Sequence, residues 1–576
     1  INSSTASWRP LSWLQNDATL GFDIANRNVL QMCRFAECQN SGTTRQGFVF
    51  NSMQNDRNLS AKGSANATWQ PRTYLNLRTT LGVDYVNQQT EFTSGQGSNL
   101  PPGAQTAGAG ANQTTDNSFP RANKTLGYYG QEQVGVNDRL FVTLAARSDQ
   151  NSAFGTQFQR VFYPKASVSY ILSEEPFFPK FGWLDQLRLR AAYGASGVQP
   201  GSTTALQTYG ASSANLGSNP TAILGTDTPG LLASALGNPK LKPERSTERE
   251  MGFETRLLDS RVSFELTYYN NVTKDALINL PIAGSSGASS TGLNTAPSVT
   301  TNLGSIRNSG LEATLTTTLL DTRNFSWDMT IGGSHNSNKI ESLGNQPCTV
   351  NTTDCLTGFK SNPTIGTGAN RDSLGLPIRG IFARLYHYTD ANNNGIIEPS
   401  EVTVDPNFSY LGSAVPRDLV SVQSNFDFFQ KRVNLSVLLD YKGGYSLFNS
   451  SNQFYCLNTN TCYDETHPTA PLADQARLVA MRFKSPTTTA GYWENGQFWR
   501  LREVGVTLAV PQRVAAPLGM RDASLTFAGR NLHVWTKYKG TDPESGYTTD
   551  NLQNVQNDFS TLSPPSYFTV RLNLHY

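Results

Sequence analysis

The sequence predicts an all-β chain, a transmembrane antiparallel β-barrel, and three observations carry that prediction. Apolar and polar residues alternate with period two from about residue 60 to the end. Short and long connections take turns between the alternating stretches. The last segment is amphipathic and ends on an aromatic residue.

The alternation is explicit at Leu75, Leu77, Thr79, Leu81, Val83, Tyr85, and again at Val262, Phe264, Leu266, Tyr268. It returns at Phe325, Trp327, Met329, Ile331 and at Val433, Leu435, Val437, Leu439, Tyr441. Helical periodicity of any length is hard to find. The region reads as roughly fifteen strands of about ten residues, the length that crosses a bilayer at a tilt.

Short connections fall at 70–72 ("QPR"), 137 ("ND"), 259 ("DS"), 321 ("DTRN") and 430 ("QK"). Long ones, rich in Gly, Ser, Asn and Thr, are expected near 30–57, 87–124, 197–248, 277–306, 336–417, 444–496 and 535–565. The connections at 173 and 511 are intermediate but fall where a short turn is due. In an up-and-down sheet every second connection emerges on the same side. One rim then carries turns and the other carries loops, which is the asymmetry of a membrane barrel. A soluble sandwich or propeller has no reason to alternate so regularly, and no fixed-period repeat is present.

In "YFTVRLNLHY" one face holds Phe568, Val570, Leu572, Leu574 and Tyr576, the other Thr569, Arg571, Asn573 and His575. Alone, this is also what an ordinary amphipathic final strand looks like. Together with the loop asymmetry it supports the barrel.

Bulk composition narrows the function classes. Charged residues are 16% of the 576 and the net charge is +2, a balance that argues against a nucleic-acid binder, which would need basic clusters to neutralise phosphates. No apolar run reaches the roughly 18 residues of a membrane helix. The mean hydropathy of −0.41 would suit a soluble protein, but alternating barrel strands have the same average. Length alone would suggest about four domains, yet nothing marks a boundary. The chain begins with Ile1, with no initiator Met or signal peptide, so processing or an incomplete start is expected.

Six cysteines form three close pairs, Cys33 with Cys38, Cys348 with Cys355, and Cys456 with Cys462. None has zinc-knuckle spacing, so the pairs read as local disulfides of an oxidising compartment, with free thiols as the alternative. All three pairs fall in expected long loops.

One motif stands out. "DANNNGIIEPSE", 390–401, has the ligand spacing of a calcium loop. Asp390, Asn392 and Asn394 offer side-chain oxygens, Ile396 its carbonyl, Glu398 a water-mediated contact and Glu401 a bidentate carboxylate, with Gly395 at the turn. The flanks read as extended chain rather than paired helices, so this is no sensor. With two Asn ligands the site would bind Ca2+ weakly, as a structural clip; an Asn-Gly turn without metal is the competing reading. No H-E-x-x-H, G-x-S-x-G or phosphate-binding loop is present. Glu174 and Glu175 sit in a connection, so no enzyme is expected.

From about residue 125 the chain resembles the SusC/RagA-like TonB-dependent outer-membrane transporters. The resemblance rests on "RLFVTLAARSDQNSAFG", "FYPKASVSYILSEEPFF", "WLDQLRLRAAYGASGVQ" and "LGNPKLKPERSTEREMGFE" in order. It continues through "SFELTYYNNVTKDAL", "IRNSGLEATL", "FWRLREVGVTLAVP" and "FAGRNLHVWTKYKGTDPE". It implies a 22-strand barrel enclosing an N-terminal plug, of which this chain supplies about the last 15–16 strands, with the plug absent from it. It further implies import of oligosaccharides or peptides, a SusD-like lid lipoprotein, energy from the TonB complex through that plug, contact with outer-membrane lipids, and a possible homodimer. The long loops would be extracellular. Tyr209, Tyr455 and Trp493 become candidates for stacking on a glycan, or else members of the interfacial girdle. "DPE", 542–544, resembles a family feature and reads as loop structure. The alternative function is a structural or adhesive surface protein anchored by the barrel; a secreted calcium-dependent β enzyme is a third reading and predicts solubility without detergent.

Overall fold

The computed structural model describes residues 2–37, 45–155, 160–201, 204–214, 228–281, 298–347, 359–361, 364–365, 370–458, 462, 467–545, 557–559 and 561–575. Its main body is one antiparallel sheet of seventeen strands, each paired to its neighbours in sequence order. They are β1 Asn2–Leu11, β2 Leu14–Cys33, β3 Phe48–Arg72, β4 Leu75–Ser98, β5 Asn112–Val136 and β6 Leu140–Asn151. Then follow β7 Val161–Ile171, β8 Leu184–Val198, β9 Glu244–Leu257, β10 Val262–Pro281, β11 Ser298–Asp321 and β12 Phe325–Ser342. The sheet ends with β13 Asp418–Phe428, β14 Val433–Gly443, β15 Phe498–Ala509, β16 Asp522–Thr536 and β17 Tyr567–His575. Among the described residues β1 pairs only with β2, and β17 only with β16.

Register explains the two faces. Leu435 is opposite Val506, Val506 opposite Phe527, and Phe527 opposite Val570, an apolar row across four strands. The adjacent row, Ser436, Gly505, Ala528 and Thr569, is small or polar. Side chains switch face at each residue, so the sheet has one apolar and one polar surface. The polar surface carries ion pairs between strands, such as Arg147 with Asp84 at 2.6 Å. The apolar surface leaves Leu144, Met251 and Val570 at 58%, 62% and 68% exposure. Such a surface is stable only where the surrounding solvent is itself hydrocarbon. Aromatic side chains border it, with Tyr441 against Trp499 at one end and Phe181 against Trp183 at the other.

Connections alternate as expected. Short ones span 12–13, 73–74, 137–139, 172–183, 258–261, 322–324, 429–432 and 510–521. Asn137 and Asp138 take left-handed φ of 52° and 54°, the two-residue turn that matches strand twist. Glu174 and Glu175, in the 172–183 connection, pair with Arg139 at 3.8 and 3.7 Å.

Three expectations change. The fifteen strands expected from about residue 60 are present as β3 to β17, and β1, β2 and the first half of β3 extend the sheet to seventeen strands although their sequence does not alternate cleanly. Residues 70–72 finish β3, and the turn lies at 73–74. Much of the expected loop 87–124 is strand, leaving 99–111 as the connection, and 30–57 shrinks to 34–47 in the same way. These strands run past the apolar belt as ribbons with polar residues on both faces. Backbone pairing persists there while the period-two signal vanishes.

Candidate functional site

The other rim carries the long connections, and parts of three of them fold together into a cap. Residues 380–413 supply a hairpin, Gly380–Tyr388 paired with Val402–Ser413. Residues 444–497 supply two helices, α1 Ser450–Asn458 and α2 Leu472–Arg482. Residues 537–545 supply the "DPE" segment.

Helix α2 corrects the expectation that 444–496 is irregular. "LADQARLVAMR" is built of strong helix formers, Pro471 precedes it, Asp474 sits in its first turn and Arg482 in its last. At eleven residues it is too short to stand out from the period-two pattern around it. The helix is buried on two sides. One side packs Ala476, Val479 and Ala480 against Ile397 and Val402 of the hairpin segment. The other packs Leu478 and Met481 against Cys456, Cys462 and Tyr492.

Cys456 and Cys462 form a disulfide that joins the end of α1 to the chain six residues on. Cys33 is also disulfide-bonded. Cys38, Cys348 and Cys355 lie outside the described residues.

The 390–401 loop is flanked by strand and by one short turn of 3-10 helix, Pro399–Glu401, as its sequence suggested. Its oxygens hold its own backbone. Asp390 accepts from the Asn394 and Gly395 N–H groups at 3.1 and 3.0 Å, and Asn394 Oδ1 accepts from Ile396 at 2.7 Å. Glu401 accepts from Ala391 and Glu398 at 2.8 and 3.0 Å. Gly395 requires its φ of 76°. Ile396 is exposed while Ile397 is buried against α2. The Gln475 side chain then clamps the loop from the helix, accepting from Ile397 N at 2.8 Å and donating to Gly395 O at 3.0 Å.

Among the described residues no three His, Cys, Asp or Glu side chains converge on a metal position. The charged oxygens of this loop are those of Asp390, Glu398 and Glu401, of which Asp390 and Glu401 accept from the loop's own N–H groups, beside amide and carbonyl oxygens. That all-oxygen, low-charge set fits a weakly held hard cation.

The "DPE" segment is tied to the inner wall. Arg500 and Asp542, with side chains only 3% and 4% exposed, meet at 2.6 Å. Arg502 makes two bonds to Glu544, both 2.9 Å, and a third to Asp440 at 2.7 Å. Lys442 reaches Glu544 at 3.0 Å, and the Tyr445 hydroxyl donates to the Pro543 carbonyl at 3.0 Å. A β-bulge makes this possible. Against β14 the register shifts at Leu438 and Leu439, which makes Arg502 an extra residue, and against β16 the two residues Asn531 and Leu532 span the same gap between Leu501 and Glu503. Burial raises the Glu544 carboxyl, but the hydrogen bonds and charges of Arg502 and Lys442 outweigh it and hold it at about 2. Burial, with the Glu544 and Asp542 carboxylates beside it, pushes the Tyr445 phenol well up.

Next to this anchor is a polar cavity of about 690 Å³. Its lining includes Asn449, Asn452, His467, Asp474, Arg477 and Lys539. Asp474 meets Arg477 at 3.3 Å and Lys539 at 3.4 Å. Arg477 lies over the Tyr492 ring at 4.7 Å. The arrangement offers hydrogen bonds and charges of both signs.

The three aromatic candidates do not form one surface. Trp493 packs on Phe448 at 4.8 Å inside the cap, Tyr455 is exposed on α1, and Tyr209 is exposed in a separate hairpin, Thr208–Ala214 with Thr228–Ala235.

This architecture, a polar-faced meander with one elaborated rim, defines a membrane barrel of the receptor class. A family described as TonB dependent receptor-like, beta-barrel, matches residues 3–454, and the chain belongs to it. Its members are outer-membrane proteins, and so is this one. TonB-dependent receptor P26 of Formosa agariphila is 26% identical over 472 residues, covering 78% of this chain and 45% of the relative. TonB-dependent receptor SusC of Bacteroides thetaiotaomicron is 24% identical over 460 residues, 74% of this chain and 42% of that protein. The solved structure of the RagAB peptide transporter superposes with a TM-score of 0.74 at 18% identity, covering 99% of this chain and 61% of its own. The resemblance seen in the sequence therefore holds. The chain spans about half the length of the curated relatives it matches.

Proposed function

We propose that this chain forms the wall and outer cap of a TonB-dependent importer of large polar nutrients, oligosaccharides or peptides. The long-loop rim faces the exterior. The observation that carries the reading is the polar inner wall beneath a cap folded from three loops. Such an arrangement receives hydrophilic oligomers above a hydrophilic passage. The similarity to SusC and to RagAB supports a SusD-like lipoprotein over the cap and energy from TonB through a plug; a homodimer belongs to the same proposal.

Uptake of a fluorescently labelled peptide digest and a labelled dextran digest, measured in cells, tests it. Import that disappears on deletion of the gene and on loss of TonB is expected. Surface binding without import in every strain would instead identify an adhesin.

Within the cap, we assign the 390–401 loop as a weak Ca2+ site that stiffens the hairpin seated on α2. Calcium at ten times its dissociation constant should stabilise the cap by about 1.4 kcal/mol. Thermal melting with and without millimolar Ca2+ would show this shift in the wild type and not in Asp390→Ala. An equal shift in both would remove the ion from this loop.

A further inference from the structure

Strands β9–β12 separate charge across the thickness of the wall. In "TEREM", Glu248 and Glu250 lie at positions facing the lumen, while Arg249 and Met251 lie on the membrane-facing side. The apolar surface of these strands ends at a row formed by Met251, Tyr268 and Leu311. The next outward row toward the long loops is Arg249, Asn270, Ser309 and Ser337. Beyond it come Val272, Arg307 and Lys339, then Lys274 between Arg245 and Ser305.

Five cations, Arg245, Arg249, Lys274, Arg307 and Lys339, thus occupy adjacent outward positions just past an aromatic residue. Arg307 is held in place, donating to Asn270 at 2.8 Å and to Glu341 at 2.5 Å. Arg249, Lys274 and Lys339 are exposed, and among the described residues none has an ion pair. Glu341 is the one acid in this row of contacts.

A corresponding sector elsewhere is neutral. Past the apolar rows of β2–β4 the outward positions are Asn26, Asn28, Asn55, Asn87 and Gln89. Arg57 there is paired with Glu91 at 3.6 Å. The basic surface of β9–β12 therefore has no counterpart on β2–β4, and it is continuous with the hydrocarbon-facing belt.

We propose that this surface binds phosphorylated lipid headgroups of the membrane leaflet on the long-loop side. Arg249, Lys274 and Lys339 supply the mobile cations, and Arg307 supplies a fixed guanidinium between them. The acyl chains lie along Met251, Tyr268 and Leu311. Arg and Lys at headgroup height attract anionic lipid additively, and the attraction weakens with salt. The assignment rests on the reading that the apolar belt spans a membrane.

The test places the full-length protein in nanodiscs of phosphatidylcholine with and without lipid A, and counts retained lipid by native mass spectrometry. The wild type should hold lipid A under conditions that strip phosphatidylcholine. The triple variant Arg249→Gln, Lys274→Gln, Lys339→Gln should retain it about 10- to 100-fold less well. Arg57→Gln, on the neutral sector, should behave as wild type. Equal retention by the triple variant, or equal loss in Arg57→Gln, overturns the site while leaving the membrane reading intact. Failure to insert into either bilayer overturns both.

Discussion

Asp542→Ala destabilises the cap by about 3 kcal/mol, because it removes the nearer of the two carboxylates that hold the Arg500 guanidinium and leaves it only Glu544, at 3.2 Å, in a site 3% exposed. The penalty comes from a buried charge left with one carboxylate in place of two, not from the lost packing of a short side chain. A double replacement, Arg500→Met with Asp542→Leu, should recover part of the loss: it removes the buried charge, while the Glu544 N–H that Asp542 accepts at 2.8 Å loses its partner. Limited proteolysis of residues 537–566 against denaturant provides the measurement. If the single and double variants were cleaved alike, the ion pair would not be what holds the segment.

Acid should release the same segment. Glu544 has its folded value lowered from the ordinary 4.5 to about 2. A lowered carboxylate stabilises the fold fully above its unfolded value and loses that contribution as pH falls through the folded value. The loss therefore runs from about pH 4.5 down to about pH 2, and is on the order of 3 kcal/mol for a side chain that is 20% exposed. Glu544→Gln should flatten cap stability across this window and lower it at neutral pH. A wild-type profile that stayed flat from pH 5 to pH 2 would contradict the assignment.

Much of this was legible in the sequence, for a physical reason. Wherever one face meets lipid and the other water, the period of two is enforced, so β4, β10, β12 and β14 could be read directly. Where strands leave the membrane, both faces meet water and only backbone pairing remains. That is why the distal halves of β2, β3 and β4 carry no such signal; β1 lies beside the belt, but presents Asn2, Ser4 and Ala6 where β2 presents Phe22, Leu20 and Ala18. The 390–401 loop was visible through its ligand spacing, but its clamp by Gln475 joins residues some eighty positions apart and has no local signal. The "DPE" segment was noticed as loop. Its partners Arg500 and Arg502 were spaced alike, yet nothing in the sequence marks the bulge that admits Arg502. The three aromatic candidates were chosen by residue type alone, and type does not say whether a ring packs inward.

The two apolar parts of the molecule answer to different solvents. The belt on the sheet has no interior; lipid is its partner, and its strength lies in backbone pairing. The clusters around α2 are small water-excluding cores, such as a soluble protein has. Cap and wall should therefore fail separately, the cap to urea and the wall only to harsher treatment. By the same token they can change separately. Sequence drift that rebuilds the cap for a new ligand need not disturb a single strand register below it.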